Sequence, residues 1–157
     1  MDIITDPKQL QALALIWRAK GRSIGLVPTM GFFHAGHTAL MDAAREQADR
    51  VVVSLFVNPT QFGPGEDFTR YPRDTRRDLK LLRGEAADLC FLPEVAHIYP
   101  EGHRTEVRVT GIEDQWEGAT RPGHFAGVAL VVTAVSRFTM RTAGSRSSST
   151  ASASPHG

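Results

Sequence analysis

The sequence has 157 residues, 41% hydrophobic and 22% charged, the size and balance of one globular domain, or of one plus a fragment. Lys+Arg 18 against Asp+Glu 17 leaves a net charge of +1, which excludes an electrostatic footprint for nucleic acid or an anionic membrane surface. The one cysteine, Cys90, excludes an internal disulfide and reads as a small core residue. No apolar run approaches the ~18 residues of a membrane span, and no basic-then-apolar segment opens the chain, so it reads as cytoplasmic.

In chain order, Asp6-Pro7 is a helix start: a carboxylate cap, then a proline whose missing N–H costs nothing. Leu10, Leu13, Ile16 and Trp17 then form an apolar stripe, and Gly21 ends the helix. Residues 23–29 read as a core strand broken at Pro28 and Gly31, and helical spacing resumes over 38–48 with Leu40, Met41, Ala44 and Ala48. Residues 51–57 (VVVSLFV) are apolar almost throughout, as in a strand buried on both faces of a parallel sheet. Strand, helix and strand in this order form a βαβ unit with a right-handed crossover. Residues 74–83 are a predicted helix with Leu79 and Leu82 inward and Gly84 as its stop. A short strand follows over 89–92, halted by Pro93, then an exposed strand over 105–110 and an apolar helix over about 125–135. From about Phe138 the text becomes Ser, Thr, Ala and Arg without periodicity, which predicts disorder.

The chemistry concentrates at the first strand-to-helix corner, where His34 and His37 stand three residues apart around Gly36. Strand carboxyl ends and helix amino ends open on one edge of an α/β sheet, and free N–H groups with the helix dipole favour an anion there. Asn58 and Gln61 close the second strand on that same edge, in a turn that could equally be ordinary. One histidine pair lacks the ligands of a zinc site, and His97, His103 and His124 fall on scattered predicted loops, so no metal centre is expected. Tyr71, Glu117 and Arg121 read alone as loop residues, and Trp17 and Trp116 as packing residues.

Taken together, the stretches VPTMGFFHAGH, VVVSLFVNPTQFGPGEDFTRYPR, DLCFLPEVAHIYPEG and EGATRPGHFAGVALVV resemble the pantothenate synthetase (pantoate–β-alanine ligase) family, over about residues 1–135. The resemblance implies a Rossmann-like nucleotidyltransferase fold of the HIGH superfamily, an α/β parallel sheet that is incomplete here. It divides the chain into a partial nucleotide-binding domain, residues 1–137, and a disordered tail, 138–157. It further implies an ATP-dependent ligase. Pantoate carboxylate attacks the α-phosphate of ATP, Mg²⁺ accompanies the nucleotide, and β-alanine then displaces AMP from pantoyl adenylate. By the same resemblance His34 and His37 are catalytic, with His37 the proton donor. ATP lies along Met30, Gly31, Phe32, Phe33, His34, Ala35, Gly36 and His37. Pro28, Thr29, Asn58, Gln61, Tyr71 and Glu117 serve pantoate or β-alanine, and the assembly is a homodimer to which the loop around Arg121 contributes.

The family continues with a Gly-Glu-Lys-Asp strand, a Gln-Gln pair, a Ser-Ser-Arg loop and a small C-terminal domain, none of which follows here. The resembling sheet has strand order 3-2-1-4-5 with the nucleotide between strands 1 and 4, so the crevice here has one wall and the first strand an open edge. Loss of a single transition-state donor typically costs about 10²–10³ in rate, so little turnover is expected of this chain. Its Arg- and Ser-rich tail reads as out-of-frame translation of a GC-rich gene. Two other readings stand beside the ligase: a non-catalytic nucleotide- or pantoate-binding remnant, and another nucleotidyltransferase with a different acceptor.

Overall fold

The computed structural model describes residues 1–62, 68–84, 87–111, 117–121 and 123–139. Four parallel strands form its sheet: β1 (Asp2–Ile4), β2 (Ile24–Thr29), β3 (Arg50–Leu55) and β4 (Leu89–Phe91), in the order β1-β4-β3-β2. Three of the four predicted strands therefore lie as 3-2-1, with β1 added on the far edge. Three residues, two of them exposed, carry too little pattern to announce β1, which pairs Asp2 to Leu89 through Ile4 to Phe91. β3 is central, and its partner β2 runs in register from Ile24 opposite Arg50 to Thr29 opposite Leu55.

The run that reads as doubly buried is so. Val51, Val53 and Leu55 face a core with Val27, Phe33, Met41 and Leu82, under helices α2 (Ala35–Gln47) and α3 (Thr75–Gly84). Val52 and Phe56 face Leu10, Phe91, Val131 and Val135, under α1 (Pro7–Ala19) and the last helix. Two small helices, α4 (Val95–Ile98) and α5 (Glu117–Thr120), precede that last helix, α6 (His124–Thr139). Among the described residues no strand pairs with the outer side of β2, and Pro28, exposed there, suits an edge because it has no N–H to offer a ladder.

Local signals held where they had a mechanism. Asp6 accepts the Lys8 N–H at 2.8 Å, and Gly21 closes α1 with its N–H on Arg18 and that of Arg22 on Trp17. Other expectations need correction. The buried face of α1 is Leu10 and Ala14 flanked by Leu13 and Trp17, while Ile16 lies half exposed because six residues from Leu10 is off that face. Leu40 likewise points outward, and Met41 carries the contact. Gly84 is the last residue of α3 rather than the one beyond it. Residues 105–110 form no strand: their alternation has no neighbouring edge to pair with among the described residues, and Val109 is exposed. The last helix starts at His124 and runs four residues past its predicted end, with Phe138 and Thr139 buried. Phe138 meets Phe91 edge-on, and Arg18 bonds the Thr139 carbonyl. The predicted tail therefore loses its first two residues to the core; its remainder, 140–157, and Trp116 lie outside the described residues. No helix among the described residues is long and apolar enough to cross a membrane.

Asp88, just before β4, fastens the bottom of the sheet. It accepts the Val51 N–H at 2.8 Å and bonds Arg45 and Arg50 at 2.7 Å each. Burial opposes its ionisation, but that N–H and the two guanidiniums outweigh burial and hold the carboxyl below its ordinary 3.8. The resulting stability is complete above that ordinary value and is lost as pH falls through the lower folded one. Asp88→Ala should lower the free energy of urea unfolding at neutral pH by about 2–3 kcal/mol, the scale for losing a charged hydrogen-bond partner. The variant's deficit should shrink on acidification as the parent loses the same interaction.

Candidate functional site

The carboxyl ends of β2 and β3 are stitched together before either chain turns away. The Thr29 hydroxyl donates to the Ser54 carbonyl at 2.8 Å, and the Phe56 N–H donates to the Thr29 carbonyl at 2.9 Å. From there Met30, Gly31, Phe32 and Phe33 lead into α2, which begins earlier than the apolar spacing suggested because His34 caps it. The His34 Nδ1 accepts the Gly36 N–H at 3.1 Å, and the His37 Nδ1 accepts the His34 N–H at 3.4 Å. A Cβ at residue 36 would lie 2.9 Å from the His34 ring, so only glycine lets that ring fold back over the helix start. The spacing His-Ala-Gly-His is thus a reciprocal cap.

This geometry revises how the corner would meet an anion. Backbone N–H groups were expected to be free; those of Gly36 and His34 are taken by the rings, and that of His37 goes to the His34 carbonyl. Because each Nδ1 accepts, each neutral imidazole keeps its proton on Nε2, and the corner offers two ring N–H donors instead. The rings lie 4.2 Å apart, His34 exposed and His37 half-buried with the Phe33 ring edge-on at 5.4 Å. Burial and the neighbouring His34 push the His37 pKa below its usual 6.5, against the opposing pull of Asp78.

Asn58 does not reach the cleft. It is wholly buried: its amide N–H donates to the Gly127 carbonyl at 3.0 Å, and its oxygen accepts from the Thr60 N–H, the Thr60 hydroxyl and the Tyr99 hydroxyl. These bonds pin the turn Pro59–Gln61 to α6. Phe33, 1% exposed, packs in the core, and Gly31 is buried. Gln61, Met30 and Tyr71 do converge. They line two adjoining cavities, one of 260 Å³ with Pro28, Thr29, His37 and Ser54, the other of 340 Å³ with Phe62, Arg70, Arg121 and His124. Burial, then the Asp78 charge, raises the Tyr71 pKa, so its hydroxyl stays protonated. Glu117 opens α5, and its side chain lies outside the described residues.

Two residues of the site were not legible as such in the sequence. His124 brings its Nδ1 to 3.4 Å from the Gln61 carbonyl, a pairing made only by the docking of α6. Asp78, on α3, accepts the Phe32 and Phe33 N–H groups at 2.8 and 3.0 Å and is 2% exposed. A polar residue between Lys-, Arg- and Leu-rich neighbours on a helix gives no sign of that; its spacing one before Leu79, on the inward side, was the available hint. His97 caps α4 and His103 meets the Tyr99 ring edge-on, so neither joins the corner. Among the described residues no three or more His, Cys, Asp or Glu gather as metal ligands.

The profile of the pantoate-beta-alanine ligase family matches residues 2–142. The chain belongs to that family. It is 52% identical over 132 residues to the pantothenate synthetase of Nitratidesulfovibrio vulgaris, covering 84% of this chain and 47% of that one. With the pantothenate synthetase of Moorella thermoacetica it shares 56% over 115 residues, 73% of this chain and 41% of the relative. The crystal structure of pantothenate synthetase from Thermus thermophilus superposes with a TM-score of 0.80 at 46% identity, over 88% of this chain and 49% of that one. A pantoate-beta-alanine ligase from Francisella tularensis, complexed with beta-gamma ATP and beta-alanine, superposes at 0.81 with 37% identity, over 88% and 53%. The chain thus spans about half the length of the pantothenate synthetases it matches.

Since the fold holds His37 below its unfolded pKa, the unfolded chain binds the extra proton first as the solution is acidified. The stability involved is complete above pH 6.5 and is lost as pH falls through the folded value. Urea midpoints measured between about pH 5 and 8 should fall on the acid side in the parent, and the fall should be shallower in His37→Gln.

Proposed function

We propose that the chain carries the nucleotide- and pantoate-binding half of a pantoate–β-alanine ligase. The observation that carries this reading is the paired imidazole cap of α2, with two outward ring N–H donors, opening beside cavities that share Met30, Gln61 and Tyr71. In the reaction, a carboxylate oxygen of pantoate bonds to the α-phosphorus of ATP as the bond to the β-phosphate breaks and pyrophosphate leaves. The amine of β-alanine then attacks the acyl carbon, AMP departs, and the amine loses its proton. Nothing covalent is asked of the protein, which positions the reactants and stabilises charge on the α-phosphate.

His34 and His37 hold the triphosphate, and His37, kept neutral at pH 7 with its proton on Nε2, donates to an oxygen that gains charge. Cavities of 260 and 340 Å³ sit at or below the lower end of ligand-site volumes, about 300–1,000 Å³, and suit a small acid such as pantoate rather than a whole nucleotide. Gln61 and Tyr71 serve that acid, with Arg70 and Arg121 on the same wall. Mg²⁺ accompanies the nucleotide. The chain acts in the cytoplasm and pairs as a homodimer.

The competing reading is a module that binds nucleotide or pantoate without turning over. Calorimetry with Mg-ATP and with pantoate, together with an assay for AMP release on adding β-alanine, separates the two. AMP release supports the ligase, binding alone the remnant, and no binding of either overturns both. In whichever form binds, His37→Ala should weaken Mg-ATP by about 1.5–3 kcal/mol. Gln61→Ala should weaken pantoate on the same scale and leave ATP unchanged; equal losses for both ligands would contradict the assignment.

A further inference from the structure

Between β2 and α2 the backbone passes through two successive left-handed residues, Gly31 at φ 86° and Phe32 at φ 54°. For glycine that conformation is free, but a bulky aromatic residue holds it only where its surroundings enforce it. Both enforcing contacts come from neighbouring positions on α3. Asp78 takes the Phe32 N–H on one carboxylate oxygen and the Phe33 N–H on the other, and the Arg77 guanidinium lies 5.3 Å over the Phe32 ring. The fit leaves no slack, since a Cβ on residue 31 would come within 2.8 Å of Asp78 Oδ2. Beyond the turn, contact continues: Phe33, 1% exposed, presents its ring edge to His37, which in turn packs on His34.

We propose that Asp78 is the positioning residue for the histidine pair: its buried carboxylate, bonded to two successive N–H groups, sets the backbone from which His34 and His37 project. Carboxyl oxygens that are 2% exposed have lost their water and need donors from the protein. Two N–H donors aimed at its two oxygens supply them, in an arrangement that a neutral amide cannot copy. Asparagine has one oxygen to accept one N–H, and its own NH₂ group would face the other donor. Asp78 touches no reacting atom in this scheme. It acts through the turn, and its charge also faces His37 and opposes the loss of the imidazole's proton. The inference rests on reading the corner as a triphosphate site only for its consequence on ATP; the effect on the rings is separate.

The test is Asp78→Asn in the 157-residue chain, followed by ¹⁵N spectra of the imidazoles at about pH 7.5, above the ordinary histidine range. The parent should show His34 and His37 each with the proton on Nε2. The variant should keep its dispersed core methyl signals yet show His37 with a substantial Nδ1–H population, and its Mg-ATP affinity should drop about tenfold. A merely structural loss would blur the core methyl signals without redistributing the imidazole proton. Unchanged tautomers in a folded variant overturn the proposal. If the parent itself binds no ATP, the triphosphate reading fails while the tautomers still decide the role of Asp78. Should the variant not fold, the parent decides through couplings across the Phe32 and Phe33 N–H bonds to the Asp78 carboxylate carbon. Their presence, with both rings locked as Nε2–H, supports the proposal, and absence of either coupling overturns it.

Discussion

One buried amide decides whether this chain has a cleft at all. Asn58 leaves the end of the central strand with no exposure, gives an N–H to the Gly127 carbonyl, and receives Thr60 and Tyr99 on its oxygen. An amide in that position is costly unless its groups are met, and with several of them met it is specific, because no apolar side chain of the same size can satisfy those partners. Its bonds join the turn Pro59–Gln61, helix α6 and the Tyr99 loop, three segments far apart in sequence. The wall opposite the histidines exists because they are joined.

The site therefore has two kinds of component. Thr29, Ser54, Asn58 and Asp78 are buried, face one another or backbone, and fix distances. Gln61, Tyr71, His34 and His37 stand at the surface of that frame with polar ends that ligands can reach. The division explains why polar residues within a few positions of one another do different work: the turn that buries Asn58 is what brings Gln61 to the cavity wall.

Much of this was legible in the sequence, and the reasons are physical. The doubly buried β3 reads from its unbroken apolar run, and α1 from a carboxylate cap and a proline, because these signals are local and act through a few neighbouring atoms. The corner reads from His-Ala-Gly-His for the same reason, since the cap it forms is closed within four residues. What failed to show was whatever depends on distant partners. Nothing near Asn58 reveals that Gly127, sixty-nine residues on, would claim its amide. Asp78 carried no sign of the two N–H groups it would accept, and the alternation over 105–110 looked like a strand without a strand to join. In each case the missing fact was the identity of the partner.

Cys90 has a consequence of its own. It lies at the middle of β4 with no exposure, and burial, with Asp78 nearby, pushes its thiol up to about 12. An alkylating reagent meets neither a thiolate nor a path to sulfur while the sheet is closed. With no other cysteine in the chain, the rate at which a maleimide or iodoacetamide adduct accumulates is a clock for sheet opening. The clock needs no dye, no engineered label and no ligand.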